Sequence, residues 1–555
     1  MGIPSYFAHI VRNHRKIIKQ LNSFDKKQIN NLYLDCNSFI YNAHYHYNSI
    51  NKDSLDKEKK YIHNKTNTIQ LENNIIKKVI KDISDCIKEI NPNKRVFIAF
   101  DGVAPMAKLN QQRNRRYMSA FQEKMSSNKN DDSNKQYNWN TSSITPGTNF
   151  MVKLGKEITN NFKKPSDYNL EHLIVSTSDD YGEGEHKIYE YLRNNKDYHS
   201  NTHTLIYGID ADLIMLSINH LHISEHIYLY RETPEFIKSI DKTLNPNEKY
   251  ILDIPLLARH IINELSCNET SDSSDISKIS LKNDVLFDYI FICFLLGNDF
   301  LPHFPALNIR TNGIQNVINA YKHIFSNTND TLTFNQEIIW KNVRKYIEYL
   351  SSRELEYIKE EYVYRNKLNK KIMYNKNNDV PTTDSNLDPI KNRAVELYIN
   401  PYDIGWESRY YKGLFNTKIN DERRNEISTN YLEGLEWTMN YYSTGCADWR
   451  WSYKYYYPPL LTDLLKYIPY SNKTFITNQP KNPVSPLVQL SYVLPPTSMD
   501  LLPRDLREDL LKEHPEWYVG NYAFLWSFCK FFWEAHVDLP HIDINELEKI
   551  VNKKI

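Results

Sequence analysis

Runs of apolar residues ending in an acid recur along the first half of this chain. NLYLD, residues 31–35, reads as a strand closing at Asp35, and the Val96–Phe100 run reads as a buried strand closing at Asp101. HLIVSTS, 172–178, and HTLIYGID, 203–210, are two further strands. The second ends at Asp210, with Asp212 two residues on. Between them lie segments of helical period. Residues 2–21 carry Phe7, Ile10, Val11, Ile17, Ile18 and Leu21 at helical spacing, and 75–90 alternate apolar and charged positions. Val285 to Leu296 reads as a buried helix running into GNDFLPH, with Asp299 at its end. Strands alternating with helices predict an α/β fold, a mainly parallel sheet with helices on both faces. Sites in such sheets lie at the carboxyl ends of the strands.

That rule gives the acids a meaning. One acid after a strand is ordinarily a turn residue or a helix N-cap. Asp35, Asp101 and Asp210 at three strand ends are expected to meet at one edge, where Glu183, Glu185, Asp212 and Asp299 can join them. Glu183 and Glu185 stand in YGEGEHK, whose two glycines keep the backbone open. So many carboxylates repel one another unless cations neutralise them. Oxygen donors without a His/Cys cluster favour Mg²⁺ or Mn²⁺, two ions suiting phosphodiester displacement. His186 and His303 beside the acids read as readily as neighbouring donors or structural residues as ligands.

A cationic face adjoins the Asp101 turn. Gly102 and Pro105 mark that turn, and in the helix after it Lys108, Gln112, Arg115 and Arg116 fall at i, i+4, i+7 and i+8, on one face. Such a forked array suits a phosphate.

The second half has another character. Residues 51–70, 124–142, 266–280 and 366–392 read as polar loops, the last as a linker or insertion. The boundaries expected are 1–330 for a first region, 331–400 for a helical segment and linker, and 401–555 for a second region. GCADWRWSYKYYYPPLLTDLL, 445–465, interleaves Trp449 and Trp451 with Arg450 and Lys454. Core packing accounts for most of these rings, and one of the two tryptophans also suits base stacking.

Composition narrows the reading little. The 555 residues exceed what one core usually holds. Hydrophobic residues are 41% and charged residues 25%, as in globular chains, and the net charge of +1 confines any nucleic-acid contact to a local patch. The six cysteines form no C-x-x-C pair, which argues against a zinc site or a disulfide framework and for an intracellular chain; the cytoplasm is expected rather than the nucleus, as Lys367, Lys370 and Lys371 form too short and mixed a cluster for an import signal. The longest apolar run is too short to span a bilayer, and MGIPSY has Tyr6 where a myristoylation signal wants Ser or Thr.

MGIPSYF, LYLDCNSFIY, FDGVAPMAKLNQQRNRRY, SITPGT, GEGEHKI, YGIDADLIML and GNDFLPH, in this order, resemble the Xrn-type 5′→3′ exoribonucleases. The aromatic GCADWRWSYKYYYPP, LPPTSMDLLP and FFWEAHVDLPHID look like that family's second conserved region. The resemblance implies a PIN-like nuclease domain with a second, mainly helical region wrapped around it. It places Asp35, Asp101, Glu183, Glu185, Asp210, Asp212 and Asp299 in the metal-binding set, and Lys108, Gln112, Arg115 and Arg116 in a 5′-phosphate pocket. Tyr41 stands where family members commonly carry a His that stacks on the first base, and Asp179, Asp180 and Tyr181 depart from the usual residues before GEGEH. The expected activity is metal-dependent degradation of single-stranded RNA bearing a 5′-monophosphate, by a monomer without membrane attachment. The alternatives are a flap- or structure-specific DNA nuclease and a catalytically silent RNA-binding protein.

Overall fold

A computed structural model describes residues 2–53, 65–127, 139–232, 237–246, 248–266, 282–375, 388–477 and 482–554. The chain forms two compact units, each assembled from separate stretches. One comprises Met1–Asn13, Leu256–Lys481 and Asn521–Leu539, and the other His14–Pro255, Asn482–Gly520 and Pro540–Ile555.

The second unit holds a seven-stranded sheet in the order β1-β7-β6-β5-β2-β3-β4. Its strands are β1 (Ile18–Gln20), β2 (Asn31–Asp35), β3 (Arg95–Ala99), β4 (His172–Ser176), β5 (Thr204–Tyr207), β6 (Ile227–Glu232) and β7 (Lys249–Asp253). Every pairing from β6 to β4 is parallel, whereas β7 runs antiparallel to β6 and β1 antiparallel to β7. The expected mixed, mainly parallel sheet is therefore present. Its strand order reverses at β2, which pairs with β3 on one side and β5 on the other. Carboxyl ends at such a reversal open a crevice. Strand β2 is buried along its whole length, as a central parallel strand with two covered faces should be.

Helices follow the strands. In this unit they include α2 (Asn37–Asp53), α3 (Lys65–Ile90), α4 (Met106–Ser127), α5 (Asn149–Asn161), α6 (Gly184–Asn194), α7 (Lys196–His199) and α8 (Asp212–Asn219), whereas α1 (Tyr6–Asn13) precedes the strands and belongs to the first unit. The apolar faces of α2, α3 and α5 bury Ile40, Ile76, Val79, Ile83, Leu154 and Ile158 against Leu32, Leu34, Val96 and Ile98 of the sheet. Helix α4 packs Met106 and Leu109 among Val488, Leu490 and Leu494, and the Gln489 side chain accepts the Ala104 N–H. Arg113, on another face of α4, donates to the carbonyls of Trp517 and Pro540. The late segments 482–520 and 540–555 are thus fastened to α4 within one unit.

The first unit is mainly helical. Its longest helices are Asp421–Ser443 and Glu354–Asn375. No described helix is long and apolar enough to cross a membrane.

Three local expectations are corrected. Residues 2–21 do not form one helix: α1 ends at Asn13, and β1 follows after a single 3-10 turn. Ile17, Ile18 and Leu21 are buried in either arrangement, and pairing with β7 supplies the backbone partners. Residues 366–375 of the expected linker continue the helix from Glu354, while 376–387 lie outside the described residues. Helix α2 extends through 51–53 and α4 through 124–127, so those loops begin later than expected. Residues 54–64, 128–138 and 267–281 also lie outside the described residues.

Candidate nuclease site

Asp35 stands at the last position of β2. It is buried, and its Oδ1 has no hydrogen-bond partner among the described residues. Asp101, two residues beyond β3, is held from three directions. The Gly184 N–H donates to Oδ1 at 2.7 Å, Asn37 Nδ2 to Oδ2 at 2.5 Å, and the Asp101 N–H returns a bond to Asn37 Oδ1. The loop after β4 brings in Glu183 and Glu185, both buried, at the start of α6. Carboxylate oxygens of Asp35, Asp101 and Glu185 lie within 4.8 Å of one another, as do ligand atoms of Glu183, Glu185 and His186.

Glycines permit this crowding. Gly182 has φ +97°, a conformation that side chains disfavour. A Cβ on Gly184 would stand 2.6 Å from Asp35 Oδ1. A short parallel register completes the arrangement, with Asp35 opposite Ala99 on β3 and Leu34 opposite Tyr207 on β5.

The electrostatics are those of crowded, buried carboxylates. Burial pushes the Asp35 carboxyl well above the usual range, and the charges of Asp101, Asp210 and Glu183 push it further. Burial, then Glu183, raises Asp101 to about 6 against the pull of the Gly184 N–H, Lys108 and Lys187. Burial, Glu183 and Asp35 raise Glu185 in the same way. The group of Asp35, Asp101 and Glu185 offers oxygen donors alone, which suit a hard divalent cation, while His186 adds a nitrogen to the second group.

The protein supplies partial compensation of its own. Lys108 Nζ lies 2.5 Å from Glu183 Oε2, both side chains being buried. Lys187 donates to the carbonyls of Phe100 and Thr177, and burial lowers its amine to about 8. Arg231 of β6 bonds the Ile209 carbonyl beside Asp210, and burial lowers it to about 10. Sequence reasoning singled out none of Asn37, Lys187 and Arg231. The available signal was a cation inside an otherwise apolar strand or helix, as in YLYRE.

The other expected acids are placed differently. Asp210 is exposed after β5, near enough to act on Asp35. Asp212 is buried at the start of α8 and joins neither acid group. Asp299 belongs to the other unit, where its Oδ1 accepts the Gly2 N–H at 3.1 Å.

Along α4 the cationic face is graded. Lys108 reaches into the acids, Gln112 is half-buried with its Oε1 unpartnered among the described residues, and Arg115 is exposed. The SITPGT segment fixes Arg116. Its guanidinium donates to the Ser142 carbonyl and, at 2.6 Å, to Thr145 Oγ1, while burial lowers it to about 10. Tyr41, on α2, is 37% exposed. Burial raises its phenol, and Arg116, Arg115 and Asp101 all act on it, so its ring adjoins both the cations and the acids.

In the first unit the two expected tryptophans separate. Trp451 is 8% exposed and stacks on Trp437 at 5.2 Å, which makes it core, while Trp449 is half-buried. Trp533, which sequence reasoning did not single out, is 50% exposed. It stacks with Phe531 at 5.8 Å and 12°, and the Arg310 guanidinium, paired with Glu534, lies near both rings. Its signal was FFW following Lys530, a cation beside aromatics.

Comparison with known proteins agrees with this geometry. The family model for the XRN 5′-3′ exonuclease N-terminus matches residues 1–233, and that for the Xrn1 helical domain matches 281–396 and 391–554. The chain is 26% identical to 5′-3′ exoribonuclease 1 of Schizosaccharomyces pombe, covering 99% of this chain and 48% of that protein. It is 26% identical to 5′-3′ exoribonuclease 1 of Saccharomyces cerevisiae, covering 99% and 43%. With 5′-3′ exoribonuclease 2 of Debaryomyces hansenii it shares 25%, covering 100% and 70%. The chain thus spans about half the length of the first two relatives.

Proposed function

The chain belongs to the XRN 5′-3′ exonuclease family, and from that premise we propose that it degrades RNA stepwise from a 5′-monophosphate end, releasing nucleoside monophosphates. The observation that carries the reading is the meeting of Asp35, Asp101 and Glu185 within 4.8 Å, at strand ends from which α4 leads with its cationic face.

Asp35, Asp101, Glu183 and Glu185 would hold divalent cations, with Asp210 and Asp212 as further candidate ligands. Such ions, when bound, supply activation of water and neutralisation of charge on the phosphodiester. The chain's own residues do the rest. Arg115, Arg116 and Gln112 take the terminal phosphate through charge-assisted hydrogen bonds. Thr145 and the Ser142 carbonyl preorient Arg116, so little side-chain freedom is lost on binding. Lys108 neutralises Glu183 and stands on the same helix face, between acids and phosphate. Tyr41 stacks on the first base, and Trp533, exposed on the first unit, is a ring available to RNA there. Stacking holds each new end regardless of sequence, because every base presents a π face.

The test compares one RNA carrying a 5′-monophosphate, hydroxyl, triphosphate or cap, beside a flapped DNA, with Mg²⁺ or Mn²⁺. Mononucleotide release from the monophosphate form alone is expected. Equal degradation of the 5′-hydroxyl form, or preference for the flap, overturns the reading.

A further inference from the structure

The first unit carries a second cationic and aromatic surface, formed by helix Trp340–Ser352 and residues 465–475. Tyr470 is 75% exposed, and the Arg344 guanidinium lies over its ring, 3.9 Å from the centroid. Arg344 is itself fixed, because Nη1 donates to the carbonyls of Leu465 and Ile468 at 2.7 and 2.9 Å. One face of the tyrosine is thereby occupied by a positioned cation, and the exposure of the ring leaves its other face to solvent.

The segment around it is anchored as firmly. Trp340 Nε1 donates to the Lys473 carbonyl at 2.8 Å, and the Trp340 ring meets Phe475 edge-on. Glu436 accepts the N–H groups of Phe475 and Ile476. Lys473, over the Phe475 ring, and Lys341, next to Trp340, are exposed, and neither has a carboxylate partner among the described residues. Lys345 and Lys466 are paired, with Asp330 and Asp463. Lys341, one helical turn before Arg344, and Lys473, three residues after Tyr470, therefore flank this ring in sequence as exposed cations without a carboxylate partner among the described residues, with Glu337 and Glu348 the exposed acids on the neighbouring sequence.

We infer that this surface is a second binding site for single-stranded RNA, with Tyr470 stacking on a base and Lys341, Arg344 and Lys473 contacting the flanking phosphates. A ring preorganised by a guanidinium and flanked by lysines matches the alternation of base and phosphate in a single strand. The inference rests on RNA as the substrate. The surface lies outside the acids and the cationic face of α4, so it would add grip without taking part in hydrolysis.

The experiment measures equilibrium binding of a roughly 30-nucleotide single-stranded RNA with a 5′-hydroxyl end, in EDTA. No cleavage then occurs, and no terminal phosphate engages Arg115 and Arg116. Tyr470→Ala is expected to weaken binding about ten-fold and Tyr470→Trp to retain it. Lys341→Glu with Lys473→Glu should weaken it further and flatten the dependence of log affinity on log salt by about 0.7 for each lost phosphate contact. All three positions are exposed, so unfolding midpoints should match the unaltered protein, and release of mononucleotides from a short 5′-phosphorylated RNA should persist. Affinity within two-fold of the unaltered protein in every variant overturns the site. So does equal competition by polyglutamate, which would assign the surface to an acidic protein segment instead. Failure of the unaltered protein to release mononucleotides would overturn the proposed hydrolysis and leave this binding result standing on its own.

Discussion

Lys108 and Glu183 form a buried ion pair, 2.5 Å from Nζ to Oε2, that joins the cationic face of α4 to the acid cluster. Breaking one side of a buried pair leaves an uncompensated charge, at a cost of about 3–5 kcal/mol. Lys108→Met should therefore lose both activity and stability. Glu183→Gln in the same chain should restore much of the stability but not the activity. A double-mutant cycle from denaturant unfolding without metal checks this, and additive losses would mean the pair is not a stabilising contact.

Metal should act on the fold as well as on the reaction. A cation that binds only the folded chain raises the unfolding midpoint. Mg²⁺ or Mn²⁺ should raise it in the unaltered protein. Asp35→Asn should raise the metal-free midpoint, because one of several crowded charges is gone, and should abolish both the metal-induced rise and hydrolysis. Thermal melts across a metal titration measure all of this. A full metal-induced rise in the variant would place the cation elsewhere.

Arg115 and Arg116 should set the preference for a 5′-phosphate. A hydrogen bond to a charged group is worth about 1.5–3 kcal/mol, so Arg116→Ala should lower kcat/KM on 5′-phosphorylated RNA by about ten-fold to a hundred-fold. It should barely affect the 5′-hydroxyl form. Thr145→Val, which removes the anchor at 2.6 Å together with the hydroxyl's own bond to the Ser142 carbonyl, should produce a smaller drop in the same direction. Equal losses on both RNAs would show that the arginines do not read the phosphate.

The three rings should divide by burial. Trp451→Ala removes core packing against Trp437 and should cost about 3–5 kcal/mol of stability. Trp533→Ala and Tyr41→Ala should leave stability near that of the unaltered protein and slow degradation through lost stacking, about 1–3 kcal/mol each, with little preference among bases. Tyr41→His keeps a ring and should keep most activity. Unfolding curves beside product ladders separate the two classes.

Away from the site, Glu354 ties stability to pH. Its carboxylate accepts the N–H groups of Leu461 and Thr462 at 2.6 and 3.0 Å, yet burial raises its pKa to about 7. A group raised above its unfolded value contributes stability that is complete below about pH 4.5 and is lost as pH rises to 7. Glu354→Gln should flatten the fall in unfolding free energy between pH 5 and pH 8. An unchanged slope would assign the fall to other groups, among them Asp288, which burial raises to about 6.

Several parts of the site were legible before the fold, for a physical reason. Asp35, Asp101 and Asp210 each terminate an apolar run, and a parallel sheet brings successive strand ends to one edge. The helical spacing of Lys108, Gln112, Arg115 and Arg116 needs only the 3.6-residue period. Gly182 and Gly184 announced a backbone that closes tightly on the acids, and Glu185 beside them does meet Asp101 and Asp35.

Tertiary structure alone decided the rest. Neither tryptophan of DWRW differs in type from Trp533; Trp451 is core because Trp437 covers it, and Trp533 is exposed because Phe531 and Arg310 cover it only in part. Lys108 became a partner of Glu183 rather than a free phosphate ligand because the loop after β4 closes beside α4, a contact across 75 residues that no local period encodes. Asp299 closes a helix as the other acids close strands, yet it folds with Gly2 in the unit that lacks the sheet. Side-chain period follows from the backbone geometry of one element. Burial, pairing and unit membership follow from which distant segments exclude water from one another, and that is settled only when the whole chain packs.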